Sequence, residues 1–252
     1  MSPFVIMMLM NIKHNLPLKI QSTSSNCVQT STSQFLNFYG IKETPDEIEA
    51  IVPVRASAEG KPMGTLLADI GTWLVRDNKL DVTMYVFDAQ IIDRSWKSFS
   101  QDQLLNEMEK AQINGISSAR TSYAPLLIDA YVTYLQAGGK IDITKCTNDL
   151  LQSLLAKGPV MAIINFNYMY DYPRSKYDPI KKEYVADPNE GKVIEHAVVL
   201  TGFEDNNYFY NDPDYEMGGQ HKVRDDVLIG AICAAQINSD NYLLSIKRPQ
   251  NN

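Results

Sequence analysis

The sequence predicts one α+β domain, with helices first and a mainly antiparallel sheet after them. Three observations carry that reading. Helical periodicity dominates residues 27–155, whereas short β-branched and aromatic runs dominate 160–247. No Gly-rich strand-to-helix fingerprint occurs, so neither a phosphate loop nor a dinucleotide fold is supported. No repeat or low-complexity linker divides the 252 residues, and a composition of 44% apolar and 21% charged residues is sufficient for a sizeable core.

The elements follow in chain order. Residues 4–10 form a short apolar run with no Lys or Arg before it and no small-residue cleavage site after it, which disfavours a signal peptide. Residues 22–26 are a polar loop. A helix follows from Cys27 towards Tyr39, with Val28, Phe35, Leu36 and Tyr39 near one stripe and Gly40 as its stop. Cys27 therefore sits where a loop becomes a helix. Thr44, Pro45 and Glu47 read as cap, first helical residue and capping-box partner of a short helix that Pro53 interrupts. Residues 65–76 carry Leu66, Ile70, Trp73 and Leu74 on one side of a helix, and 82–87 read as a strand. Ser100 caps a helix over 101–111, 114–123 is irregular, and Gly138 with Gly139 closes a helix over 125–137. Thr147 starts a helix that ends at Lys157, Gly158 and Pro159.

The last third changes character. Residues 160–165 read as an apolar strand, and 166–184 as a loop carrying Tyr168, Tyr170, Tyr172, Tyr177 and Tyr184. A turn at 187–191 leads to a strand over 193–202. A hairpin turn at 204–207 returns the chain through 208–211. Residues 225–231 are a short helix or a loop, and 242–247 a final strand.

Charge and cysteine usage exclude several classes. Lys and Arg number 23 against 30 Asp and Glu, a net charge of −7, which argues against nucleic acid as a partner. No run approaches the length of a membrane span, so no membrane insertion is expected. Cys27, Cys146 and Cys233 form no CxxC pair, and Cys146 and Cys233 read as small buried hydrophobes. No disulfide framework or secretion signal is evident, which favours a cytoplasmic over a secreted protein. The spacing of His196, His221 and Asp214 matches no familiar metal-ligand pattern, so no metal and no cofactor are expected. No motif sets an oligomeric state.

Of the three histidines, His14 and His221 read as surface residues. His196 opens an apolar strand, and the returning strand carries Asp212 at its end, so two paired strands can set an acid beside the imidazole. Cys27 in a first helical turn gains from the positive helix end, which favours a nucleophilic thiolate. Its backbone N–H and the amide of Gln21, six residues before it, are the candidate oxyanion donors. Asn211 is the competing orienter of His196, and strand alternation lets only one of the pair face it.

Gln21 and Cys27, Tyr39 and Gly40, Lys157 to Val160, His196 with Ala197, Val198, Val199 and Gly202, and Asn211 to Pro213 together resemble the C39-like cysteine peptidases of the papain-like superfamily. The likeness covers roughly residues 18–40 and 155–213. It implies a papain-like fold and a catalytic set of Gln21, Cys27, His196 and Asp212. It also implies cleavage of a peptide or amide bond in a peptide or protein substrate through an acyl-enzyme. Residues 88–145 then read as a mainly helical insertion. Val28 departs from the family, which usually has glycine after the cysteine, and a side chain there crowds the helix start or the groove. The same residues suit an acyltransferase or a deamidase, and Val28 motivates a rival reading as an inactive peptide-binding protein. Asn26, Val28, Glu195, Tyr168, Tyr170 and Tyr172 are the candidate groove residues. Acids at Asp171, Asp178, Glu183, Asp187 and Glu190 would favour a basic peptide if they line it.

Overall fold

The computed structural model describes residues 11–58, 60–116, 123–235 and 242–247. The apolar run at 4–10 and residues 117–122 of the irregular stretch lie outside the described residues. In chain order the strands are β1 (Ile12–Lys13), β2 (Arg55–Ala56), β3 (Pro62–Gly64), β4 (Asp81–Val86), β5 (Lys140–Ile143), β6 (Val160–Asn165), β7 (Ser175–Asp178), β8 (Glu183–Ala186), β9 (Glu195–Glu204), β10 (Asn207–Asp212), β11 (Gly219–Arg224) and β12 (Tyr242–Lys247). The helices are α1 (Cys27–Asn37), α2 (Pro45–Ile51), α3 (Leu67–Arg76), α4 (Gln101–Asn114), α5 (Ala124–Gln136), α6 (Asn148–Leu155), α7 (Phe166–Tyr170) and α8 (Asp225–Ala234).

The architecture is α+β, as expected, and the sheet is mixed. Its order is β11-β10-β9-β6-β12-β4-β5, with β1 added to β9. Neighbours run antiparallel except β4 and β5, which are parallel. The expected helix-then-sheet segregation gives way to helices on both faces. α1, α3 and α5 cover a core that includes Met161, Ile163, Ala197, Val199 and Leu244. α6 and α8 cover the other face, where Ala162, Ile164, Val198, Leu200 and Leu243 meet Leu151 and Leu228. The central strands therefore read as continuous apolar runs, because both of their faces are buried. Residues 88–145 hold α4 and α5 together with β5, which extends the sheet edge.

Local chemistry accounts for the helix starts. Thr44 and Glu47 form a capping box, as do Ser100 and Gln103. Thr147 accepts from the Leu150 N–H. α1 differs from its expected amphipathic form, since Val28 through Leu36 are all buried. Its Ser and Thr side chains are short and paired. Ser31 Oγ donates to the Ala197 carbonyl at 2.9 Å, Thr32 Oγ1 to the Val28 carbonyl at 2.7 Å, and Gln29 Nε2 to Thr65 Oγ1 at 2.7 Å. Small hydroxyls let the helix lie close on β9, and each hydrogen bond offsets the desolvation of its group.

The segment 166–184, expected as a loop, is partly ordered. Asn165 accepts from the Tyr168 N–H and starts α7, and Asp171 ends it in a left-handed conformation with φ 50°. β7 and β8 then form a hairpin whose turn is held by Asp178, which accepts from the N–H groups of Ile180 and Lys181.

Candidate active site

Cys27 is the first residue of α1, and its approach is built by Asn26. The Asn26 side chain is fully buried, donates to Ser22 Oγ at 3.0 Å and Glu49 Oε2 at 3.2 Å, and accepts from the Thr23 N–H at 3.3 Å. Asn26 thus folds the polar loop under the helix start instead of facing a groove, a correction to its expected place. The loop is also tied to the far end of the sheet, because the Gln21 N–H donates to the Pro213 carbonyl at 2.7 Å. That bond brings Gln21 next to the strand end that carries Asp212.

His196 and Asp212 meet as strand pairing allows. His196 lies opposite Ile164 on β6, and β10 runs antiparallel along the other side of β9. His196 Nε2 lies 2.7 Å from Asp212 Oδ1, with His196 4% exposed and Asp212 0% exposed. An ionised carboxylate only accepts, so Nε2 carries the proton. Cys27 lines the same cavity as His196 and is one of the groups that raise its pKa. Burial, the largest single influence on His196, pulls its pKa down. The charge and hydrogen bond of Asp212, together with Cys27, outweigh it and hold the ring well above its ordinary 6.5. Asp212 is pushed up by its own burial, yet His196, Tyr170 and the Asp214 N–H together hold it below 3.8. The buried pair is thereby charged on both sides at neutral pH.

Asn211 turns to the opposite face. Its Nδ2 donates to Gln34 Oε1 at 2.9 Å, so it anchors α1 to the sheet and does not orient His196. This is the outcome that side-chain alternation along β10 requires.

Gln21, Cys27, Val28, Glu195 and His196 line one cavity of about 640 Å³. The Gln21 side chain is buried, and its Oε1 has no hydrogen-bond partner among the described residues. Phe166, Ile163 and Leu66 supply apolar wall. The β2–β3 and β7–β8 hairpins both border the cavity, and they touch where the Tyr184 hydroxyl donates to the Pro62 carbonyl at 2.7 Å. Val28 is 3% exposed, so most of its side chain is spent in the core.

The three groove tyrosines separate. Tyr172 lines the cavity. Tyr168 is 51% exposed and lies against Gly230 of α8, outside the cavity lining. Tyr170 reaches behind the wall to Asp212, with its hydroxyl 2.5 Å from Oδ2. The sequence carried no signal for that contact, because it joins a short helix to a strand 42 residues away. Of the acids expected near the tyrosines, only Glu190 borders the cavity. Asp187 and Glu190 both pair with Lys176, at 2.7 and 2.8 Å. With Arg55, Lys61, Lys176 and Lys192 in the lining as well, the wall has no acidic bias.

The remaining candidates also move. His14 Nε2 is 2.7 Å from the Leu155 carbonyl and His221 Nε2 is 2.8 Å from the Met217 carbonyl, and both rings are half-buried rather than superficial. Cys146 and Cys233 act on each other's thiols, raising that of Cys146 and lowering that of Cys233. Cys233 is exposed, unlike the buried hydrophobe expected.

A crystal structure described as that of a C39-like peptidase from Bacillus anthracis superposes with a TM-score of 0.49 at 13% identity, over 95% of this chain and 98% of that one. A double glycine motif protease from an AMS/PCAT transporter, in complex with its leader peptide, gives a TM-score of 0.43 at 14% identity, over 95% of this chain and 99% of that one. No curated protein matches significantly. The sequence model of the C39-like peptidase family matches residues 13–238, nearly the whole length, and the chain belongs to that family.

Proposed function

We propose that the protein is a cysteine-dependent hydrolase that cleaves a peptide or amide bond through an acyl-enzyme. One observation supports the reading: His196, paired with the buried Asp212 at 2.7 Å, lines one cavity together with Cys27 and Gln21. The Cys27 sulfur, its proton already held by the His196 imidazolium, adds to the substrate carbonyl carbon. The oxyanion formed is met by the Cys27 backbone N–H and the Gln21 amide. Collapse of the tetrahedral species breaks the C–N bond, and His196 returns the proton to the departing amine. A thioester to Cys27 remains. Water, deprotonated by His196, attacks the thioester and releases a carboxylate and the thiol. Asp212 stays ionised throughout and stabilises the imidazolium.

The position of Val28 in the core supports an open cavity and weighs against the reading as an inactive binder. The choice of water over an amine acceptor, which separates hydrolase from acyltransferase, lies in the cavity wall and not in the Cys-His-Asp chain. The test incubates the full chain with a diverse peptide mixture and reads new termini by mass spectrometry. Cleavage that disappears in Cys27→Ala is the expected result, and cleavage that persists in Cys27→Ala overturns the mechanism.

A further inference from the structure

Asp212 is fully buried and receives three donors. His196 Nε2–H and the Asp214 N–H share Oδ1, each at 2.7 Å. The Tyr170 hydroxyl takes Oδ2 at 2.5 Å. The carboxylate can only accept, so the Tyr170 hydroxyl donates this hydrogen bond. The Tyr210 hydroxyl, 3.1 Å from that of Tyr170, must then donate to Tyr170. The order of donation runs Tyr210 to Tyr170 to Asp212, and His196 donates to the same carboxylate from the other end.

The tyrosines are held in register. The Tyr170 ring lies 4.7 Å from that of Phe166, and Phe166 stands edge-on to His196 at 5.3 Å. Asn165 fixes the helix that carries Tyr170, accepting from the Tyr168 N–H and donating to the Ala234 carbonyl at 3.1 Å. The titratable groups facing this carboxylate come from three elements besides its own. They are His196 on β9, Tyr170 on α7, Tyr210 on β10 itself, and His221 on β11, whose ring flanks Tyr170 and Tyr210 at 6.2 and 5.3 Å. Cys27 on α1 faces His196 from the cavity side. Burial pushes the Tyr210 hydroxyl up to about 12 and raises Tyr170 further, so both keep their protons.

We infer that Tyr170 is a positioning residue: its hydroxyl fixes the Asp212 carboxylate and shares the negative charge that would otherwise fall on His196. This rests on the assignment of Cys27, His196 and Asp212 above and deepens it. The physical basis is that a donor to a carboxylate favours its ionised form and spreads its charge. Without that donor, Oδ1 pulls harder on the imidazolium proton, and His196 holds it to higher pH.

The test follows the histidine ring signals of the full-length protein by NMR across pH, with His196 assigned by its absence in His196→Gln. Tyr170→Phe is expected to move the His196 midpoint upward by about half a pH unit. Tyr210→Phe, which removes only the donor to Tyr170, is expected to move it in the same direction by less. A purely structural tyrosine would leave the midpoint in place. An unchanged or lower midpoint in Tyr170→Phe overturns the inference. If that variant does not fold, the absence of an upward shift in Tyr210→Phe overturns it instead. Failure of Cys27 to react with a peptidyl chloromethyl ketone is a separate result. It would remove the hydrolase reading beneath the inference while leaving the titration untouched.

Discussion

Replacing Asp212 with Ala tests the electrostatics of the site without any knowledge of substrate. The substitution strands three buried donors, from His196, Asp214 and Tyr170. One buried donor without a partner costs about 1–3 kcal/mol, and removing one member of a buried ion pair costs about 3–5 kcal/mol. Part of this is recovered near neutral pH, because without the carboxylate burial dominates and His196 sheds its proton. The expected loss at pH 8 is therefore at the lower end, about 3 kcal/mol. The sign of its pH dependence follows from the same groups. In the native chain His196 is held above 6.5, so its contribution is complete below that pH and fades only as pH rises through the elevated value. In the variant the ring is held below 6.5, so protonation opposes folding as pH falls. The gap between the two proteins must widen from pH 8 to pH 5. Guanidinium unfolding at both pH values measures it. A loss under about 1 kcal/mol at both, or a larger loss at pH 8 than at pH 5, would refute the buried charged pair.

Three other expectations follow from named contacts. The native protein should hold the full contribution of this pair between pH 3.8 and 6.5, since Asp212 lies below the first value and His196 above the second, and thermal melts across pH should show a plateau there with a fall on the acid side. Ser31→Val should destabilise by about 1–3 kcal/mol in urea melts, because it deletes the bond to the Ala197 carbonyl and forces extra methyl groups between α1 and β9. Cys233 should be alkylated by iodoacetamide well before Cys146, as tryptic mass mapping can show: it is exposed, and the neighbouring Cys146 lowers its pKa, while Cys233 and burial raise that of Cys146. Equal labelling would contradict that pairing.

What the chain discloses by itself depends on how local the cause is. Capping residues act over three positions, so the helices begun by Thr44, Ser100 and Thr147 are legible where they start. The β9–β10 hairpin is legible because its apolar strands flank a short turn, and with it comes the chance that His196 and Asp212 meet. The choice of Asp212 over Asn211 needed the register, since both residues lie on one strand and face opposite sides. α1 defeats periodicity because it is buried all round, and its Ser and Thr side chains look solvated until their partners on β9 and α1 itself are known. β5 is hidden by its length of four residues and by its parallel partner, whose pairing no local turn announces. The β7–β8 hairpin carries Lys182 rather than glycine at positive φ, so its turn lacks the usual signal. Tyr170 is invisible for the same reason: its role is set by packing between distant elements.

The central claim is that Cys27 is a nucleophile made reactive by His196. The most direct measurement is the second-order rate of iodoacetamide alkylation at Cys27, read at pH 6 in chains with Cys146→Ser and Cys233→Ser. The His196 imidazolium should make Cys27 react at least about tenfold faster than in the same chain bearing His196→Ala. Equal rates in the two proteins would show that the imidazole does not activate the sulfur, and the hydrolase mechanism would fail with it.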